Sequence, residues 1–120
     1  MATIKMNGQD VKVYRLEMWG MSHSIVLEKA EYLSNGNLAV LMHSEASSPD
    51  IGWEPWDDLT TNLVLPLAHN RAFVKDEFYP EWLAKNGIAK PTGESRQSGW
   101  NNYLLMEFSD EALNGMYHEE

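Results

Sequence analysis

Cysteine is absent from the 120 residues, so the chain has no disulfide framework, no thiolate nucleophile and no cysteine zinc site. Proteins of this kind suit a reducing cytosol. No apolar run approaches the ~20 residues that a membrane span needs. The first residues show no basic segment followed by an apolar run, as a signal peptide would. We therefore expect a cytoplasmic protein that does not enter a membrane.

Positive charge is scarce. Nine basic residues stand against 18 acidic ones, which gives a net charge of −9. Such a surface repels phosphate backbones, so we do not expect direct binding of nucleic acid. A small acidic domain can instead dock on a basic protein surface, including one that normally holds DNA. The alternative is that the acidity only keeps the protein soluble.

Signatures of catalysis and of cofactor binding are also missing. The sequence has no phosphate-binding loop, no dinucleotide-binding glycine pattern and no nucleophile elbow. The four histidines lack the spacing of a helical metal site and have no cysteine beside them; they are His23, His43, His69 and His118. We therefore expect no enzymatic activity, no cofactor and no metal.

The length and the apolar pattern predict a single globular α+β domain over residues 1–120, with an antiparallel sheet of five or six strands. Asn7-Gly8 predicts one hairpin, because both residues tolerate the positive φ of a tight turn. Ser34-Asn35-Gly36 predicts a second. The strands flanking these turns are expected at 3–6, 10–18, 24–33 and 37–45. The last of these is apolar on both faces, as a central strand would be.

The second half of the chain is predicted to hold further strands and the helices. Strands are expected at 59–65 and 103–108, and loops at 46–57 and 93–102. One main helix is predicted over about 77–86, with Asp76 near its start, Pro80 in its first turn and Gly87 ending it. Its side chains Phe78, Trp82 and Leu83 should face the sheet. A short C-terminal helix is expected after Ser109, whose hydroxyl can cap it.

The stretch 52–58 is a candidate partner-binding surface. Its candidate residues are Glu54, Trp56, Asp57 and Asp58. An exposed tryptophan is a typical interface anchor, and acidic neighbours steer a basic partner toward it. The commoner alternative for such a tryptophan is that it folds back onto the sheet as a lid.

The stretch 93–102 is a second candidate, for an anion. Its candidate residues are Arg96, Gln97, Ser98 and Trp100. A guanidinium can hold a carboxylate or a phosphate with two hydrogen bonds. The commoner alternative is an internal ion pair with one of the many acids. We expect this loop to be structural first of all, with Gln97 and Ser98 bonded to backbone groups of neighbouring segments.

Three segments carry a recognisable series of motifs. YLSNGNLAVLM (32–42) contains N-G-x-L-A, GWEPWDDLTTNL (52–63) contains E-P-aromatic and L-T-x-N-L, and the stretch 86–108 contains P-T-G and Q-S-G. In order and spacing they resemble a bacterial domain family of uncharacterised function. The resemblance implies no catalytic activity. Members of that family accompany plasmids, phages and integrative elements, which implies accessory or anti-defence work.

Three functional hypotheses follow. The first is a non-enzymatic accessory protein that binds another protein with a basic surface, in its sharpest form a mobile-element inhibitor of a host nucleic-acid-handling defence enzyme. The second is a small-molecule-binding domain or enzyme with a pocket between loops 52–58 and 93–102. The third is self-association, which would be marked by an apolar patch across a two-fold axis.

Overall fold

A computed structural model of the chain describes residues 2–45, 52–63 and 65–119. Eight strands form two antiparallel sheets, and two short helices accompany the second. The strands are β1 (Ala2–Met6), β2 (Gln9–Met18), β3 (Met21–Glu31), β4 (Leu38–Glu45), β5 (Trp53–Asp58), β6 (Arg71–Lys75), β7 (Ala89–Ser98) and β8 (Asn101–Phe108). The helices are α1 (Tyr79–Lys85) and α2 (Asp110–Asn114).

The first sheet has the order β1-β2-β3-β4-β5, so each strand pairs with its neighbour in the chain. The two predicted hairpins are confirmed. Asn7 and Gly8 have φ values of 49° and 83°, as a tight two-residue turn requires. The strand β4 lies inside the sheet, in agreement with its two apolar faces. A third turn, at Trp19-Gly20, was not predicted, because tryptophan rarely occupies a position of positive φ.

The second sheet has the order β6-β8-β7. The predicted strand at 103–108 is confirmed as part of β8. The predicted loop at 93–102 is wrong, because this stretch is the end of β7, a turn at Gly99-Trp100 and the start of β8. The pairing of β7 with β8 is interrupted between Pro91 and Ser95. A polar strand with that irregularity shows no apolar alternation, so the sequence pattern conceals it.

The fold class is broadly α+β, but the prediction of one main helix is wrong. The described helices span only seven and five residues. Helix α1 begins at Tyr79, and Phe78 rather than Asp76 precedes it, with no side-chain cap. Trp82 and Leu83 are buried as predicted, whereas Phe78 is 42% exposed, so its predicted orientation is wrong.

Two further predictions fail around β5. The loop expected at 46–57 falls partly outside the described residues, and from Trp53 onward it is strand β5. The proline in that strand is tolerated because β5 is the edge of its sheet. The strand expected at 59–65 includes Val64, which also lies outside the described residues. Of the others, Thr61 makes only an isolated bridge to Phe73.

Side-chain hydrogen bonds replace a strand ladder in this segment. The hydroxyl Oγ1 of Thr60 accepts from the backbone N–H of Val40 over 3.0 Å and lies 2.9 Å from the hydroxyl of Tyr32. The amide of Asn62 bonds to Asn35 over 3.1 Å. The motifs N-G-x-L-A and L-T-x-N-L therefore meet in space, and they hold this segment against the β3–β4 hairpin.

One hydrophobic core draws on both sheets and both helices. Trp82 of α1 reaches across to β2, where its indole Nε1 donates to the carbonyl oxygen of Arg15 over 2.9 Å and its ring meets Tyr14 edge-on.

At the C-terminal end, the hydroxyl of Ser109 accepts from the N–H of Ala112, so the predicted cap of α2 is confirmed. Among the described residues, neither helix has the length and apolar character that a membrane crossing requires.

Candidate functional site

A groove opens where one end of the first sheet meets the start of helix α1. Its volume is about 510 Å³. Three segments form its walls: the β2–β3 turn with Trp19, the last residues of β5 with Trp56, and the β6–α1 connection that ends in Phe78 and Tyr79. We call it the aromatic–acidic groove, because Asp57, Asp58 and Glu77 line it beside these four aromatic side chains.

A chain of hydrogen bonds holds two walls of the groove together. The indole Nε1 of Trp56 donates to the hydroxyl of Tyr79 over 3.3 Å, and that hydroxyl donates to Oδ2 of Asp57 over 2.9 Å. Burial raises the pKa of Tyr79 to about 12, and the neighbouring carboxylate of Asp57 acts in the same direction. The hydroxyl therefore keeps its proton and stays a donor to the carboxylate over the whole physiological pH range.

Trp19 stands at the rim of the groove in a conformation that tryptophan rarely takes. Its φ is 55°, its side chain is 81% exposed, and its ring centroid lies 6.2 Å from that of Trp56. A bulky residue in the left-handed region costs roughly 1–2 kcal/mol. The turn at Asn7-Gly8 has the same signs of φ and uses asparagine, the residue that suits this position. Exposure and strain therefore coincide at Trp19.

Phe78, on the opposite wall, is strained as well. Its φ of 47° and ψ of −57° place it at the centre of a tight turn in which the Tyr79 N–H donates to the Glu77 carbonyl oxygen. Unfavourable backbone conformations of this kind persist where the surroundings hold them, and they are concentrated at functional sites. Trp19 and Phe78 therefore both line the groove with exposed aromatic side chains, and both have strained backbone conformations.

The groove is electronegative. Its lining carries three carboxylates and one ammonium group, a net charge of −2. The ammonium of Lys75 lies 3.4 Å from the carboxylate of Glu77, so these two groups balance each other. Asp57 accepts from Tyr79, whereas the exposed carboxylate of Asp58 makes no side-chain hydrogen bond or ion pair with any residue that the structure describes. Aromatic faces next to unbalanced carboxylates attract cations.

A histidine that does not itself line the groove packs against Trp56. The ring of His23 is centred 4.6 Å from that of Trp56. Its Nε2 is buried and has no hydrogen-bond partner among the described residues. Trp56 itself is half-buried and packs against the core, as the alternative of a lid on the sheet predicted; its role as an interface anchor stays a prediction. One side of Trp56 covers the sheet, and its other side lines the groove.

The structure brings together only some of the residues singled out by the sequence. Trp56, Asp57 and Asp58 line the groove, whereas Glu54 is exposed on β5 and is not part of the lining. The stretch 93–102 contributes no residue to that lining. The groove is therefore not the predicted pocket between 52–58 and 93–102; its second wall is the β6–α1 connection.

The predicted structural role of the second stretch is wrong. Gln97 and Ser98 are exposed and make no side-chain hydrogen bond to any residue that the structure describes. Arg96 forms no ion pair within the same ranges, so the expected internal pair with an acid is absent there. Trp100 is fully exposed at the hairpin turn. The backbone groups that these side chains were expected to satisfy pair instead between β7 and β8.

The sequence also failed to indicate Trp19, Phe78 and Tyr79. A glycine directly after Trp19, between two strand-like runs, is a turn signal that could have placed this tryptophan at a hairpin tip. For Phe78 and Tyr79 there is no such signal, because a helix start with aromatic residues normally faces the core.

A second cavity, of about 440 Å³, lies between α1, β7 and the start of α2. Two carboxylates line it: Asp110 at the start of α2, and Glu107, which is already paired with Arg71 at 3.3 Å and Lys90 at 3.5 Å. This cavity lacks the exposed aromatic side chains of the groove, and its lining carries two carboxylates and one ammonium group, a net charge of −1 against −2 in the groove. The groove is therefore the better candidate for a binding site.

Comparison with known proteins gives a family match. The model of a family described as a domain of unknown function, DUF4313, matches residues 26–120. The match includes β4, β5, the second sheet and both helices, whereas the turn that carries Trp19 lies outside it. No curated protein and no solved structure matches the chain.

Proposed function

Since the chain belongs to the DUF4313 family, whose function is unknown, we propose its function from the groove: the protein binds a partner protein and takes a basic segment of it into the aromatic–acidic groove. It acts by binding and not by catalysis. The observation that carries this proposal is Trp19, which is 81% exposed and holds a strained backbone conformation at the rim.

Stability does not account for Trp19. An asparagine would fit its turn better, and the indole leaves most of its surface in water. Tryptophan is among the residues that most often dominate the binding energy of an interface, because one side chain buries a large area with few rotatable bonds. A partner that covers Trp19 and the outer surface of Trp56 would remove both rings from water.

The charge of the groove determines what the partner must offer. Asp58 is exposed and unpaired among the described residues, and Asp57 lies beside it. An arginine or lysine side chain satisfies the carboxylates and stacks on the aromatic faces at the same time. The net charge of −9 adds long-range attraction for a basic partner, which raises its association rate and is weakened by salt.

Proteins that handle nucleic acids offer such a basic surface. The sharpest form of the proposal is an accessory protein of a bacterial mobile element that occupies the basic groove of a host nucleic-acid-handling defence enzyme. The acidity and the resemblance to mobile-element families support this form. It also implies that the protein does not itself bind duplex DNA, and that duplex DNA competes with it for the partner.

A synthetic peptide of alternating arginine and glycine tests the chemistry directly. The change in tryptophan fluorescence reports binding, measured at about 50 mM and about 300 mM salt. We expect binding at low salt, weakened about tenfold or more by Trp19→Ala and by Asp58→Asn. A peptide of alternating glutamate and glycine should not bind.

Matched controls come from the opposite end of the first sheet. Leu33→Ala removes a fully exposed apolar side chain from the turn after β3, and Glu31→Gln removes one exposed negative charge at the far end of β3. Each control should leave the affinity almost unchanged. If Trp19→Ala and Asp58→Asn weaken the peptide no more than these controls do, the groove is not the binding site and the proposal fails.

A further inference from the structure

The tip of the β7–β8 hairpin is an exposed arm with a chemistry opposite to that of the groove. We define the arm as residues 95–102. Arg96 gives it one positive charge, and it contains no acidic residue. Trp100 is fully exposed at the turn, and neither side chain is engaged with any residue of the described ranges. An exposed guanidinium and an exposed indole therefore occupy the same hairpin tip of a protein whose net charge is −9.

The arm stands beside the groove of its own molecule. Arg96 pairs with Tyr103, and Tyr103 pairs with Lys75, which lines the groove. Since neighbouring strands are about 4.8 Å apart, the Cα atoms of Arg96 and Lys75 are about 10 Å apart, and directly paired residues point to the same side of the sheet. The N–H of Asp76 also donates to the carbonyl oxygen of Asn102 over 2.8 Å, which ties the base of the arm to the wall of the groove.

The arm does not fill this adjacent groove. The complete exposure of Trp100 shows that its indole is not covered by its own molecule, and Trp19 on the far rim is also exposed. The arm carries a cation and the neighbouring groove is acidic, so two copies of the chain can satisfy both surfaces by symmetry. A two-fold axis between two copies places each arm in the groove of the other, so both contacts form at once and the assembly closes.

We infer that the protein forms a reciprocal dimer in which Arg96 and Trp100 of each copy enter the aromatic–acidic groove of the other. The occupant is a second copy of this chain because its arm supplies the two groups that the groove recognises: a cation for Asp58 and an aromatic face for Trp19. This inference rests on the proposed function and adds a regulation to it. The dimer covers the groove, so the monomer is the form that binds the partner.

Charge exchange tests this dimer. Arg96→Glu reverses the charge of the arm, and Asp58→Lys reverses the charge of the groove; Asp58 is chosen because Asp57 also accepts the hydrogen bond of Tyr79. Both positions are exposed, so both variants should fold, and circular dichroism checks this. Each variant alone places like charges opposite each other at both contacts of the dimer, so it should dimerise at least about 100-fold more weakly than the natural chain.

Mixing the two variants should restore the dimer. In the mixed pair one contact joins Arg96 with Asp58, and the other joins the introduced glutamate with the introduced lysine. Sedimentation velocity should therefore show each variant alone as a monomer and the mixture of the two variants as a one-to-one dimer. A natural chain that stays monomeric at every concentration, a dimer unaffected by either substitution, or a mixture that remains monomeric would each overturn the inference.

The same variants separate this inference from the proposed function. Arg96→Glu leaves the groove intact, so it should bind the arginine–glycine peptide at least as well as the natural chain does, and Asp58→Lys should not bind it. If the peptide results hold and no dimer forms, only the dimer is wrong. If Asp58→Lys binds the peptide normally, the proposed function itself fails. Trp100→Ala should weaken the dimer without weakening the peptide complex.

Discussion

The hydroxyl of Tyr79 accepts a hydrogen bond from the indole Nε1 of Trp56 over 3.3 Å, and this contact joins helix α1 to strand β5. The two residues belong to elements that meet only in the folded state. Because the same hydroxyl donates a hydrogen bond to the carboxylate of Asp57, it also orients that carboxylate at the groove. One phenol hydroxyl therefore links helix α1 to two consecutive residues of β5.

Tyr79→Phe should lower the free energy of unfolding by about 1–2 kcal/mol near neutral pH, because the Trp56 N–H and the Asp57 carboxylate lose their shared partner. The pKa of Tyr79 is raised to about 12, above the ~10 of an unfolded tyrosine. The resulting stability is fully present below about pH 10 and is lost as the pH rises through about 12.

The difference between the natural chain and Tyr79→Phe should therefore shrink between about pH 10 and about pH 12. Urea denaturation at several pH values measures it. Tyr14 also has a raised pKa, through burial and the nearby charge of Glu111, but it is common to both proteins and cancels. A difference that stays constant through this pH window would contradict the assignment.

Trp19→Asn should separate stability from binding. Asparagine suits the positive φ of this turn, so we expect an unfolding free energy that is unchanged or raised by up to about 1 kcal/mol, together with loss of peptide binding. The reverse exchange in the twin turn, Asn7→Trp, should be destabilising, since it adds strain and removes the hydrogen bond to the Tyr117 hydroxyl. A large loss of stability in Trp19→Asn would make Trp19 a structural residue.

Trp56→Ala should lower the unfolding free energy by about 2–3 kcal/mol, less than the ~3–5 kcal/mol of a fully buried tryptophan. The reason is its intermediate position, packed on His23 and the core but open to the groove. Chemical denaturation measures the loss. A negligible change would show that Trp56 is only an interface residue, and a change near 5 kcal/mol would make it only a core residue.

Thr60→Val should cost about 1–3 kcal/mol, because it leaves the buried N–H of Val40 without its acceptor and removes the hydroxyl that Tyr32 meets. The neighbouring Thr61→Val is the matched control. The Thr61 side chain makes no hydrogen bond to a residue that the structure describes, so its replacement should change stability by less than about 0.5 kcal/mol. Equal effects of the two substitutions would refute the role of Thr60.

Gln97→Ala should change the unfolding free energy by less than about 0.5 kcal/mol, since the side chain is exposed and unbonded within the described part of the chain. Thermal denaturation checks this. A loss above about 1 kcal/mol would show that Gln97 has a buried partner after all.

The local features of the fold could be read from the sequence. Asn7-Gly8 and Gly36 determined two hairpin turns, because few residues other than glycine and asparagine tolerate the positive φ of these three positions. Ser109 determined the start of α2, because its hydroxyl satisfies an N–H that the first turn leaves unpaired. The apolar faces of β4 determined its place inside a sheet. Each of these depends on neighbours in the chain.

The groove was decided by the tertiary structure. Trp56 and the two aspartates after it could be suspected from the sequence, but their partners Trp19, Phe78 and Tyr79 lie between 20 and 40 positions away and carry no local signal of a shared site. Two of them hold backbone conformations that their residue types disfavour, so local preference pointed away from the observed turns. Only the packing of helix α1 across β2 and β5 brings these side chains together. That packing depends on how apolar side chains from distant segments are buried against one another, and no short stretch of sequence determines it.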